Sequence, residues 1–175
     1  MYDEPGKTPH GLPHDPFKSC VVPRPIGWIS TVDAQDRHNL APYSQFQNVT
    51  FDPPIVMFSA NQTTQGERRD SLRNAEQMGQ FECEHLNTLR FPSTPPMGTV
   101  DMAFGRVVAI HIDDNAIDAQ GRVDVLKLQP IARMGYLDYT VVDNQFQVVI
   151  PGNSQALLAG LEGSPEKAFK PSPQP

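Results

Sequence analysis

The chain has 175 residues, a length that suits one domain. A formal charge of −6 and a pI near 5.2, with no run of Lys or Arg, argue against nucleic acid or an anionic membrane surface as partners. Two cysteines, Cys20 and Cys83, exclude a disulfide scaffold and a four-thiolate zinc site.

Residues 1–16 are rich in proline, carry His10 and His14, and show no periodicity, so they read as an extended N-terminal arm. No basic region followed by an apolar stretch opens the chain, and no apolar run approaches the roughly 18 residues of a membrane span. These features predict a soluble, cytoplasmic protein, with Cys20 and Cys83 as buried, unbridged thiols.

Residues 26–32 are β-branched and aromatic, Asp33 to Arg37 supply turn chemistry, and residues 39–44 resume extended chain, which together predict a hairpin. Asp52-Pro53-Pro54 separates the segment 46–51 from Ile55-Val56-Met57-Phe58-Ser59, a short apolar run that suits a strand buried on both faces. Residues 71–78 form the first convincing helix, with Asp70 or Ser71 as N-cap and Gly79 as its stop. Further strands are expected over 105–112 and 145–150, with turns at Asp113 and Asp118 and one helical turn at 125–128. Residues 153–175 read as a tail outside a domain spanning 17–152.

Two motifs could carry chemistry. Pro23-Arg24-Pro25-Ile26-Gly27-Trp28-Ile29-Ser30-Thr31 sets a guanidinium, an indole and two hydroxyls beside a strand start. That suits a phosphate and an aromatic ring, or alternatively a proline-stiffened strand entry with a core tryptophan. Arg68-Arg69-Asp70-Ser71 places two arginines and a hydroxyl at a helix N-terminus, either an anion site or a solvated, capped helix start. His111 and Asp113 share a strand face but lack a third ligand, so an Asp/Asn turn is preferred to a metal site. G-x-S-x-G, Walker and G-x-G-x-x-G patterns are all absent.

Taken in order, the 23–31 block, Asn39-Leu40-Ala41-Pro42-Tyr43-Ser44, Asp52 to Ser59 and Arg69-Asp70-Ser71-Leu72-Arg73-Asn74 strongly resemble the flavin reductase-like, FMN-binding split-barrel family. Two later blocks, 104–112 and 130–139, resemble its later strand and C-terminal loop. The resemblance implies a mostly β, Greek-key split barrel, a homodimer, and FMN near the subunit interface. Arg24, Ser30, Arg69 and Ser71 would hold the phosphate, with Thr31, Ser59 and Asp70 beside it. Trp28 and Tyr43 would pack along the ribityl chain or ring, and Ser44, Phe46, Gln47 and Asn48 would face the isoalloxazine edge. NADH or NADPH would supply a hydride, and a monooxygenase or another acceptor would take the electrons. No side chain is needed as acid or base. Two departures stand out: Arg69-Asp70-Ser71 replaces the family's Lys-Asp-Thr, and the segment that the family carries between the positions of Phe81 and Glu82 is missing. The cut admits a second reading, a non-catalytic flavin- or partner-binding module on a truncated scaffold.

Overall fold

The computed structural model describes residues 4, 7, 9, 11–63, 65–78, 83–94 and 97–148. Contacts divide the chain into a unit Met1–Asp143 and a unit Asn144–Pro175. Among the described residues the first unit holds nine strands: β1 (Arg24–Pro25), β2 (Gly27–Val32), β3 (His38–Tyr43), β4 (Phe46–Phe51), β5 (Pro54–Asn61), β6 (Cys83–Phe91), β7 (Val100–Val107), β8 (Ile131–Arg133) and β9 (Tyr139–Val141). The helices are α1 (Asp70–Met78) and the single turn α2 (Val125–Leu128). Among the described residues no helix is long and apolar enough to cross a membrane.

Every strand pairing is antiparallel. A four-stranded sheet runs β4-β5-β7-β6, the hairpin β2-β3 stands as a second sheet, and β1-β8-β9 forms a third. The predicted hairpin is present, closed at its turn by Asp33, whose carboxylate accepts from the Gln35 and Arg37 N–H groups. Strand β5 lies inside its sheet, and the consecutive residues Phe58 and Ser59 are both buried, as expected of a strand covered on both faces. Phe58, Leu72 and Ala103 form the core, with Ile29, Tyr43, Phe46 and Ala60 packed against them. Gly27 is required here, because a Cβ at that position would meet the Phe46 ring at 2.5 Å.

Helix α1 begins at Asp70, so the predicted N-cap moves out to Arg69, whose carbonyl accepts from the N–H groups of Leu72 and Arg73. The Ser71 hydroxyl does not cap. It accepts from Asn39 Nδ2 at 2.7 Å, while Asn74 Nδ2 donates to Thr31 Oγ1 at 3.3 Å. This polar seam joins α1 to the hairpin and leaves Leu72, 1% exposed, to fill the core. Gly79, the predicted stop, lies outside the described residues, as does the Phe81–Glu82 junction.

Several expectations are corrected. The strand expected over 105–112 is β7, which begins at Val100 and ends at Val107. Its flanking strands reach no further, since Ile55 pairs with Arg106 and Cys83 with Val107, so residues 108–112 have no neighbour to join and Ile110 is 72% exposed. Residues 145–148 form no strand, and 149–150 lie outside the described residues. The segment 130–139, read as a C-terminal loop, contains β8 and the first residue of β9. Neither cysteine forms a disulfide, and both are exposed rather than buried, Cys20 just past a 3-10 turn and Cys83 at the start of the edge strand β6.

The strongest charge cluster lies under α1. Arg68 makes a paired contact with Glu76 (2.7 and 2.8 Å) and donates Nε to Asp101 at 2.6 Å. Arg90 holds the same Asp101 carboxylate at 2.7 and 3.0 Å. Hydrogen bonds from Arg90 and then Arg68 hold the Asp101 carboxyl below its ordinary 3.8, and Arg68 does the same to Glu76, ordinarily 4.5. A carboxyl depressed in the folded state stabilises above its unfolded pKa and loses that contribution as pH falls through the depressed value. The urea midpoint is therefore expected to be flat through neutral pH and to drop below about pH 4, with a shallower drop in Glu76→Gln. An equal acid drop in both proteins would remove Glu76 from the account.

Candidate functional site

One cavity of about 1090 Å³ opens between β3, the end of β5, the start of α1 and the β1-β8-β9 sheet. From β3 and its turn come Asn39, Tyr43 and Ser44; from β5, Ser59, Ala60 and Asn61; from α1 and the residue before it, Arg69, Asp70 and Ser71. The opposite wall carries His14, Lys18, Arg24, Arg133, Tyr136 and Asp138. The hairpin's backward turn into β4 sets Tyr43 against Phe58 (ring centroids 4.8 Å apart), and this apolar floor meets a polar rim.

Lys18, Arg24, Arg69 and Arg133 outnumber Asp70 and Asp138, and Asp70 is already ion-paired to Arg73. A chain of net charge −6 thus concentrates positive charge in one place. The Arg69 carbonyl takes the N–H groups of Leu72 and Arg73, so the N–H groups that the start of α1 offers beside Arg69 are those of Asp70 and Ser71. A cavity with this lining suits a ligand that carries an apolar ring and an anionic group.

The cations are not equivalent. Arg69 is exposed and, among the described residues, donates Nε alone, to the Asn61 carbonyl at 3.3 Å. Arg68 does not line the cavity, because Glu76 and Asp101 hold it on the other side. Arg24 spends its terminal nitrogens on the carbonyls of Lys18 (2.9 Å), Val21 (3.1 Å) and Met134 (3.1 Å), so it stitches the cavity wall together. Arg133 donates to the Tyr136 carbonyl at 2.7 Å and sits over the Tyr139 ring.

Of the residues singled out from sequence, Arg24, Tyr43, Ser44, Ser59, Arg69, Asp70 and Ser71 come together in this cavity. Trp28, Ser30, Thr31, Phe46, Gln47 and Asn48 do not line it. Gly27 and Ile29 point into the core, so alternation turns Trp28 and Ser30 outward, and Trp28 is 67% exposed, which excludes a core tryptophan. Phe46 packs into the core, Thr31 joins the polar seam, and Gln47 and Asn48 are exposed on β4. Sequence reasoning missed His14, Lys18, Asn61, Tyr136 and Asp138 as wall residues. Arg133 lay in a quoted block, but nothing local shows that β8 pairs with β1. Among the described residues no group of three or more His, Cys, Asp or Glu could hold a metal ion.

Comparison with known proteins follows the same outline. No protein-family model matches the chain. The uncharacterized protein YwrF of Bacillus subtilis is 24% identical over 77% of this chain and 91% of its own length. Nitrilotriacetate monooxygenase component B from Bacillus cereus superposes with a TM-score of 0.72 at 20% identity, covering 85% of this chain and 98% of that one. A Shewanella frigidimarina protein with a split barrel domain gives 0.52 at 15% identity over 73% and 86% of the two chains. The chain has a flavin reductase-like split-barrel fold. An FMN-binding protein from Thermus thermophilus, with bound 1-cyclohex-2-enone, matches the split barrel at 0.51 and 16% identity, over 85% and 100% of the chains.

Proposed function

We propose that this split barrel binds FMN in the cavity and serves as a flavin-dependent oxidoreductase, accepting hydride from NADH or NADPH and passing electrons to an acceptor. The carrying observation is the convergence of Arg69, Ser71 and the α1 N-terminus on a cavity floored by Tyr43 and Ala60. Fold neighbours support the reading: one is an FMN-binding protein and another a monooxygenase component. Arg69 and Ser71 hold the phosphate, and Tyr43 and Ser44 position the ring. Arg24 acts through the wall it ties together rather than through the phosphate. Bound FMN supplies the hydride chemistry, which asks no acid or base of the chain.

The outer face of the hairpin fits the same reading. Register places Trp28 opposite Pro42 and Ser30 opposite Leu40, and Trp28 and Leu40 are both exposed. A second copy covering this face, in a homodimer, would shield that apolar surface and bring Trp28 and Ser30 near a flavin shared at the interface.

The test is direct. Micromolar FMN is expected to lose fluorescence on addition of the protein, and the loaded protein to bleach near 450 nm on anaerobic mixing with one of the two nicotinamides. Absence of quenching would reject flavin binding. Quenching without bleaching by either donor would favour the non-catalytic, flavin-binding module.

A further inference from the structure

Arg133, Tyr136, Leu137 and Asp138 of the cavity wall all ride on one short hairpin, β8–β9. The Val142 N–H donates to the Pro130 carbonyl at its base (2.9 Å), so the hairpin is closed on itself. Its attachment to the rest of the domain is slight. Among the described residues β1 alone pairs with it, through Arg24 opposite Arg133 and Pro25 opposite Ala132. Proline has no N–H to give the ladder, and like charges directly opposed across a ladder destabilise it. Closure also leaves groups unsatisfied. Among the described residues three buried side-chain polar atoms lack a hydrogen-bond partner, and two are the Nε atoms of Arg24 and Arg133, one on each side of this seam. These dry N–H groups recover water only when the seam parts. Tyr136, in the hairpin turn, holds a φ of 55°, a left-handed backbone that a bulky side chain disfavours. Against these stand the Arg24 bond to the Met134 carbonyl (3.1 Å) and the contact of the Tyr136 and His14 rings (centroids 5.4 Å apart).

From this arrangement we infer that the β8–β9 hairpin is a flap, which parts from β1 to admit a ligand to the cavity and then closes over it. Gln129, just before β8, has a φ of 46° and stands where the hairpin leaves the preceding turn, the place for a pivot. Only the identity of the ligand rests on the FMN reading.

Thiol labelling tests the flap without any ligand. With Cys20 and Cys83 replaced by serine, Ala132→Cys and Ala103→Cys each place one thiol at a buried site, 7% exposed on β8 and 3% exposed on the inner strand β7. DTNB is expected to label Ala132→Cys at least about a hundredfold faster, because that thiol needs only the seam to open and not the four-stranded sheet. Equal rates for the two thiols would overturn the flap. The pair Pro25→Cys and Ala132→Cys serves if the single variant folds poorly, since directly opposed strand residues lie within disulfide reach. Its oxidised form should take up FMN at least about tenfold more slowly than its reduced form, because the bond holds the seam shut. Equal uptake by the two forms would overturn the flap as well. Should FMN fail to bind at all, the proposed function falls while the labelling rates still decide the flap.

Discussion

Asp101→Asn is expected to lower stability by about 3 kcal/mol, the largest loss from any single polar substitution described here. Asp101 is 2% exposed and serves both Arg68 and Arg90. Breaking a buried ion pair typically costs about 3–5 kcal/mol, because the surviving charges stay in place without compensation. The low end applies, since Arg68 keeps Glu76 and Arg90 is half exposed. For a chain of this length the melting temperature should fall by roughly 6–12 °C. Differential scanning calorimetry of the two proteins measures it. A shift below 2 °C would mean that the two arginines find water or other partners without strain.

Arg69→Ala should weaken FMN binding at least about tenfold, with little change in melting temperature. Charge-assisted hydrogen bonds contribute roughly 1.5–3 kcal/mol each, and tenfold corresponds to about 1.4. Arg69 has few commitments within the chain, so the folded state should lose no more than about 0.5 kcal/mol. Arg68→Ala should do the reverse, melting lower through Asp101 and Glu76 while the folded protein keeps its FMN affinity within about threefold. Fluorescence titration and thermal melts on the same samples separate the two. Matching losses of affinity would place the phosphate elsewhere.

The adjacent arginines show what the sequence makes legible. A basic pair before a helix was visible, but which member turns inward depends on Asp101, far along the chain on β7. Arg24 behaves the same way, since the Met134 carbonyl it holds lies 110 residues away. The hairpin and β5 were readable because turn chemistry and apolar runs are local signals. Strand β7 was misplaced because its ends are set by where β5 and β6 stop. Strands β8 and β9 left no trace, being three residues each and too short for a period to show. Trp28 was not placed outward from sequence, because the face of β2 that lies inside is fixed by the close approach of Gly27 to the Phe46 ring, a contact that exists only in the fold.

The long reach of Arg24 has a kinetic consequence. Pairing β1 with β8 joins segments more than a hundred residues apart, whereas β6 and β7 meet across a short connection. Closing so long a loop costs entropy that only a handful of bonds in two- and three-residue strands repay. The β1-β8-β9 sheet is therefore the last part to assemble and the first to open, and its amides should exchange with deuterium well before those of β5 and β7. That sheet is also one wall of the cavity. The protein's ordinary breathing thus loosens one side of its binding site, and a ligand seated there acts as a brace on the weakest seam of the barrel.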